Sequence, residues 1–426
     1  MIALLALLLA QATPGRVLTL EAAQDAARQN QPQLRAARAS TSAAQGRVEQ
    51  SRSGLLPQLS ATADALRTTT NYLFRPGGII RTGVASTWDT VNAFDTSVTL
   101  SQLVWDFGQT SNRWRSSQAA ARGTAEQERA TGLQVLLQVR VAFFNAVAAR
   151  DLLTVARETL ANQHNHLVQI QEFVRAGTRP PIDLSQAQAD FANAEVQAIN
   201  AGNVYQRSKV LLNQTMGVEG AIDYEVAHDA LPAQPGEDGA LETILEVALA
   251  SRPEIAFAVE QVKAQQYLLK SAKGGYGPAI GVGAGFLSGA TTGSGYIGWD
   301  VSAGVTLTWN IFQGGLTNGM VHEAEGNVGV AAAQLDVQRQ QVRVDVDQAL
   351  LAIRAAKAAS TSSKDAFVAA RQRLSLAEGR YQNGSGSVIE LGDAQIAASS
   401  AAAQVVQTEF QLATARAQLL WAIGRA

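Results

Sequence analysis

The chain has 426 residues, a formal net charge of −2 and no cysteine, and only 16% of its residues are charged against about 25% in an average soluble protein. A near-neutral chain without a basic stripe offers no phosphate-binding field, so we expect no nucleic-acid partner. The lack of cysteine excludes disulfides, thiol catalysis and cysteine-ligated metals.

The chain begins with an apolar run, MIALLALLLAQATPG, that contains the small-x-small triplet Ala10-Gln11-Ala12. This pattern predicts a signal peptide over residues 1–12, with a buried N-terminal helix as the alternative. No other stretch has the ~18 consecutive apolar residues that a membrane-spanning helix requires. If the chain enters a membrane, we therefore expect it to do so with strands.

The remainder of the chain is an internal duplication. At a separation of 221 positions (253 − 32), Pro32 matches Pro253 and Pro57 matches Pro278. At a separation of 207 (315 − 108), the matched pairs are Gly108 with Gly315, Gly177 with Gly384, Asp183 with Glu390, and Gly217 with Gly424. We predict two repeats, residues 13–217 and 241–426, joined by a linker over residues 218–240. The separation changes between Pro57 and Gly108, so the first repeat should carry a longer loop there.

Strict alternation of apolar and polar residues predicts two strands in each repeat. The expected strands cover about residues 58–66, 93–105, 279–288 and 297–310. Each approaches the ~10 residues of a tilted outer-membrane strand. Aromatic residues stand near the ends of these runs, where interfacial girdles belong: Tyr72, Phe74, Trp88, Tyr296, Trp105, Trp309 and Phe312.

Four strands cannot close a barrel, because outer-membrane barrels begin at about eight strands. An open edge in lipid would leave N–H and C=O groups unpaired, so several chains must contribute to one barrel. Two chains would supply eight strands and three would supply twelve. A small soluble sandwich with one wet face is the alternative.

Each repeat continues into a long antiparallel coiled-coil hairpin, expected over about residues 110–217 and 317–424. No proline interrupts the first ~65 residues of either hairpin, which at 1.5 Å per residue would reach roughly 100 Å. The returning helices carry apolar residues at seven-residue intervals: Leu184, Phe191, Ala198, Tyr205 and Leu212, then Leu391, Ala398, Val405, Leu412 and Leu419. This periodicity fits any rod or bundle, so it does not specify a function.

The duplicated strand pairs, the junctions VWDFGQT and IFQGGLTN, and the turns FVRAGTRPPIDLSQAQ and YQNGSGSVIELGDAQ resemble the TolC family of outer-membrane efflux and secretion channels. The resemblance implies an internally duplicated α+β membrane protein. Each chain of a homotrimer would contribute four β-strands to a 12-stranded outer-membrane β-barrel and long helices to a coiled-coil α-barrel in the periplasm. It also implies an equatorial belt, for which residues 218–250 are the expected material.

The resemblance implies a tripartite efflux or type I secretion system. The partners would be outer-membrane lipid, a periplasmic adaptor protein and an inner-membrane transporter, with no cofactor and no metal. The alternative is a non-channel periplasmic coiled-coil adaptor or scaffold protein. The sequence does not indicate whether the cargo is a drug, a metal ion or a polypeptide.

The resemblance places a gate at the two hairpin tips, with turn glycines at Gly177 and Gly384. The residues that it implies for the gate and its constriction are Asp183, Tyr381, Glu390 and Asp393. Asp183 and Tyr381 would form a hydrogen bond between the hairpins. Glu390 and Asp393 are three apart on a starting helix and should share a face. Acids also stabilise the positive end of a helix, which is the alternative role for these carboxylates.

One position departs from the family pattern. Where relatives carry an arginine in the second tip that helps to latch the gate, this chain has Gly386, and Arg179 of the first tip is a candidate substitute.

Enzymatic motifs are weak in this sequence. His164 and His166 are two apart, so a helix points them away from each other, and His228 and His322 stand alone. The glycines of segment 281–285 imitate a dinucleotide loop, but they lie inside an alternating strand. We therefore expect a passive channel and not an enzyme.

Overall fold

A computed structural model describes residues 16–69, 88, 90–220, 222–234, 236–291 and 297–425. The predicted signal peptide over residues 1–12 and the aromatic residues Tyr72, Phe74 and Tyr296 lie outside the described residues. The chain divides into two compact units. Of the described residues, the first unit comprises those within 1–39, 125–256 and 336–426, and the second comprises those within 40–124 and 257–335.

Long helices and two small sets of strands make up the described chain, which confirms the predicted α+β class. In order, the elements are β1 (Arg16–Leu18), α1 (Leu20–Asn30), α2 (Pro32–Ser53), β2 (Gln58–Thr69), β3 (Thr90–Trp105), α3 (Gln109–Arg175), α4 (Pro181–Met216), β4 (Tyr224–Val226), α5 (Leu241–Ser251), α6 (Pro253–Gly274), β5 (Ala279–Thr291), β6 (Ile297–Thr308), α7 (Leu316–Gln382) and α8 (Val388–Ala422). The bounds of α1 and α2 recur in α5 and α6 at a separation of 221 (241 − 20), and those of α3 recur in α7 at 207 (316 − 109).

The second unit contains one antiparallel sheet in the order β2, β3, β5, β6, so β2 and β6 are its edges. The pairing register places apolar residues in common rows on one face, such as Val98 opposite Phe286 and Phe286 opposite Val301. Glycine, serine, threonine and aspartate predominate on the other face, which also carries Leu66 and Leu287. Apolar side chains such as Leu59 and Val305 are both 72% exposed. These strands therefore form a single sheet with a bare apolar face, and not the two-sheet sandwich considered as the alternative.

A sharp turn joins each second strand to its long helix. In the first repeat, the Asp106 carboxylate accepts hydrogen bonds from the Thr110 N–H at 2.8 Å and from the Thr110 hydroxyl at 2.6 Å. Phe107 has a φ of +54°, which is rare for a residue other than glycine. In the second repeat, Gly314 holds the equivalent position with a φ of +60°. The two junction motifs thus adopt the same backbone conformation at this position.

The first unit has its core where α3 crosses α1, α4 and the parallel strand pair β1 and β4. Phe143, Val139 and Leu212 are fully buried there. The hydropathy of one 18-residue window gives α3 the length and composition of a membrane-crossing helix, but 61% of that window is buried inside the protein. Burial of this kind is expected of the central helix of a core.

Each hairpin ends at a glycine that contacts the start of its own repeat. Gly217 has a φ of +67°, and a Cβ there would lie 2.7 Å from the Cα of Gln31. Gly424 has a φ of +69°, and its Cβ would lie 2.9 Å from the Ser251 carbonyl oxygen. Only glycine fits both the left-handed backbone and this close approach.

Candidate functional site

Short glycine turns form the tips of both hairpins. Gly177 lies between α3 and α4 with a φ of +73°, and Gly384 lies between α7 and α8 with a φ of +76°. In each turn the N–H after the glycine donates to a carbonyl five residues earlier, Thr178 to Phe173 and Ser385 to Arg380. This left-handed closure of the helix end is the usual reason for a glycine after the last helical turn.

Tyr381 is the central side chain of the tips and is only 2% exposed. Its ring packs in a small apolar cluster with Ala377, Leu391 and Ala394 of its own hairpin. Two residues of the first hairpin also contact the ring. The Arg179 guanidinium lies 4.7 Å from the ring centroid, and the His166 ring lies 5.5 Å away in an edge-on arrangement. The second hairpin is thus held by the first through an aromatic ring.

The expected hydrogen bond between Asp183 and Tyr381 is not formed in the single chain. The Tyr381 Oη is buried, and no described residue accepts from or donates to it. Burial raises the pKa of the Tyr381 phenol; Arg179 opposes this rise, and Asp183 adds to it through its charge. Asp183 is itself buried in the first turn of α4. The hydrogen-bonded pair therefore stays a prediction for neighbouring hairpins of an assembly; within the single chain, Arg179 makes the direct contact with the ring.

Glu390 and Asp393 lie in different surroundings, although they are three residues apart. The Glu390 N–H donates to the Ser387 hydroxyl, which caps α8, and the Glu390 carboxylate forms a 2.7 Å ion pair with Arg380. Asp393 is exposed and has no ion pair with any described residue. The charge of Glu390 is therefore partly compensated within its own hairpin, whereas that of Asp393 is free to act on an ion.

Two tip residues were not assigned a role by the sequence. His166 packs against Tyr381; burial lowers its pKa, and the charge of Asp190 opposes this. Arg380 pairs with Glu390 across the turn. Opposite charges flanking a glycine turn could have indicated that pair, but no local pattern indicates that His166 meets a ring from another hairpin.

A buried carboxylate anchors the linker between the repeats. The Glu237 side chain is 3% exposed and bonds to both the Nε and an Nη of Arg416 at 3.1 Å and to the Lys357 ammonium at 2.7 Å. Burial alone would raise the pKa of Glu237, but these bonds and the Gln234 N–H outweigh it and lower the pKa to about 2. The irregular segment is thereby fixed to α7 and α8.

The first unit also contains a cavity of about 260 Å³ between α3, α7, α8 and the linker. Its apolar lining includes Phe144 and Phe410. Its charged groups already pair with neighbours, as Lys364 does with Glu409 at 3.0 Å. Within the described ranges, no group of three or more histidine, aspartate or glutamate side chains is placed to hold a metal. The tips therefore remain the candidate site.

Comparisons with known proteins agree with this architecture. The family model described as outer membrane efflux protein matches residues 23–218 and 244–425. The outer membrane efflux protein BepC of Brucella suis is 24% identical over 77% of this chain and 71% of BepC, and the outer membrane protein TolC of Escherichia coli is 25% identical over 86% of this chain and 74% of TolC. The crystal structure of the Campylobacter jejuni CmeC outer membrane channel has a TM-score of 0.80 at 21% identity, covering 95% of this chain and 85% of CmeC.

Proposed function

Because this chain belongs to the outer membrane efflux protein family and is an export channel of the outer membrane, we propose that three copies form one continuous conduit. The family match spans both repeats, which favours a channel over the alternative of a periplasmic adaptor or scaffold. The family is one of channels and not of enzymes. The proposed conduit is a twelve-stranded barrel in the membrane that continues as a helical tunnel in the periplasm.

The observation that carries this proposal is the single open sheet. Its bare apolar face suits lipid, but its edges, β2 and β6, have no partner strand in the described part of the chain. Each backbone group left unpaired in hydrocarbon costs several kcal/mol. Pairing β6 of one copy with β2 of the next removes every edge, and three copies supply the strand number that the family relationship implies.

The mass of the detergent-extracted protein tests this assembly. We expect a trimer by light scattering in mild detergent, with the strand content retained in circular dichroism. A monodisperse monomer that keeps its strands would contradict the proposal, because its edges would then be stable without a neighbour.

We further propose that the tips are the resting gate and that they meet an inner-membrane transporter through a periplasmic adaptor. The contacts of Arg179 and His166 with the Tyr381 ring support the first point, since they join the two hairpins of a chain where a tunnel would narrow. A passive conduit needs a partner that supplies energy, which supports the second. Deleting the gene in its own bacterium should raise cellular retention of the exported compounds, and a variant that fails to trimerise should not restore export.

A further inference from the structure

The cavity of about 260 Å³ beside the linker is large enough to hold a small molecule. Its walls come from α3, α7 and α8, and residues 228–231 of the linker complete the lining. Every lining residue belongs to the first unit, so a single chain already contains the whole cavity. An engineered apolar cavity of about 150 Å³ binds benzene. The volume here therefore suits a molecule with one or two rings.

Hydrogen bonds hold the linker in place beside this cavity. The Asp229 carboxylate accepts from the Leu20 N–H at 2.8 Å, and the Leu231 carbonyl oxygen accepts from the Arg416 guanidinium at 2.8 Å. These two bonds flank Ala230, which lines the cavity. The linker cannot move into the space without breaking them, so the cavity is preformed.

Most of the lining is apolar. Two aromatic rings contribute, Phe144 from α3 and Phe410 from α8. The other apolar lining residues are aliphatic: Val147, Ala148, Ala230, Leu231, Val406, Leu412 and Ala413. A water molecule needs two to four polar partners to be stable inside a protein, and this part of the lining offers none. An apolar molecule is therefore favoured over water here.

The charged and titratable side chains of the lining already have partners. These are Asp151 with Arg150, His228 with Arg150, Asp229 with the Leu20 N–H, Lys364 with Glu409, and Arg416 with Glu237. A charged molecule would have to displace one of these partners or remain unpaired in an apolar space, and both are costly. The cavity therefore favours a molecule without charge.

One polar group of the lining is still available for a hydrogen bond. Ser360 of α7 is only 6% exposed and lines the cavity. Its carbonyl oxygen accepts from the Ser363 hydroxyl at 3.0 Å, but its own hydroxyl forms no hydrogen bond with a described residue. A buried hydroxyl without a partner is unfavourable, so a molecule that bonds to it gains affinity.

We propose that this cavity is a binding site for a small, uncharged aromatic molecule that carries one hydroxyl group. Its rings contact Phe144 and Phe410, and its hydroxyl bonds to Ser360. Because linker residues line the site, the bound molecule also stabilises the linker against the helices. The site is separate from the tips, and it does not depend on the proposed trimer.

Equilibrium dialysis with 2-naphthol tests the site. The purified protein is held in amphipol, so that no free detergent can fill the cavity, and we expect saturable binding of one molecule per chain. Ala413→Phe places a ring in the cavity from α8 and should weaken this binding by about tenfold or more, while the unfolding temperature stays at or above that of the wild type. Ala148→Phe fills the same cavity from α3 and serves if the first variant fails to fold.

A second comparison tests the role of the hydroxyl. Naphthalene has the same rings as 2-naphthol but no hydroxyl. In Ser360→Ala, the affinity for 2-naphthol relative to naphthalene should fall by about threefold to tenfold, which is the effect of one hydrogen bond. The matched control is Gln411→Phe, at an exposed position of α8 outside the cavity, which should bind both compounds like the wild type.

Two results would overturn the proposal. Binding that does not saturate, or that is equal in the wild type and in both filled variants, would mean that the compounds only partition into the amphipol. An unchanged affinity ratio in Ser360→Ala would mean that the cavity does not recognise a hydroxyl group.

Discussion

The position of Tyr381 depends on the contact of its ring with Arg179 more than on its hydroxyl, which has no hydrogen-bond partner among the described residues. A cation over an aromatic face contributes about 0.5–2 kcal/mol. Three copies at about 1 kcal/mol each would bias a two-state gate by roughly a hundredfold, at about 1.4 kcal/mol per tenfold. We therefore expect Arg179→Gln to raise the resting conductance of single channels in planar bilayers. Tyr381→Phe keeps the ring and should conduct like the wild type.

Arg175→Gln is the matched control. This arginine also lies near the tip, but it is exposed, and its ion pair with Glu172 is long, at 3.7 Å. It should leave the conductance unchanged. If Tyr381→Phe opens the channel and Arg179→Gln does not, the phenol has an acceptor in a neighbouring copy. The contact between Arg179 and the ring then does not hold the gate closed.

Glu237 makes the stability of the linker depend on pH. Its folded-state pKa of about 2 lies below the ordinary value of 4.5, so the carboxylate favours the folded state. The contribution is present above pH 4.5 and is lost as the pH falls toward 2; a shift of this size corresponds to about 3 kcal/mol. Glu237→Gln should lower the unfolding temperature at pH 7, and this difference from the wild type should shrink between pH 4.5 and 2.

Asp238→Asn is the control for this prediction. Asp238 bonds to the same Lys357 ammonium at 2.7 Å but is 79% exposed, and exposed ion pairs contribute little. Its unfolding temperature should stay near that of the wild type. An equal loss in both variants would mean that Lys357, and not the buried Glu237, anchors the linker.

The strands show what alternation specifies about an element. The expected strand over residues 58–66 continues to Thr69, because β2 keeps pairing with β3 as far as Thr90. Similarly, β5 extends to Thr291, beyond the expected end at residue 288. Alternation shows which residues share a face, whereas the ends depend on how far the partner strand continues.

Neighbouring residues on the two faces of β6 should respond oppositely to a charge. Val301 lies in the apolar rows and Ser302 on the polar face. A lipid-facing arginine near the bilayer midplane costs about 2–4 kcal/mol, falling toward the interfaces. Val301→Arg should therefore reduce the amount of heat-stable trimer in outer-membrane fractions, and Ser302→Arg should not. Equal losses would mean that the apolar face does not meet lipid.

Ion selectivity belongs to the whole molecule, because only an assembled pore brings the acids of several tips together. Rings of carboxylates favour cations. Since Arg380 compensates Glu390 while Asp393 has no such partner in the described chain, Asp393→Asn should weaken cation preference more than Glu390→Gln does. Reversal potentials in a salt gradient measure both. If neither variant changes them, these acids lie outside the conducting path.

The sequence by itself determined the duplication, the strands, the hairpins and the turn glycines. These features are local or periodic: Gly177 and Gly384 are needed where a helix ends in a left-handed residue, and Val301 and Ser302 alternate because a strand has two faces. The tertiary structure alone decided which side chains from distant segments meet. Arg179 and His166 contact Tyr381, and Glu237 bonds to Arg416, because long helices bring together residues far apart in sequence. Such contacts depend on helix register and rotation, which a seven-residue repeat leaves free to slide by whole heptads.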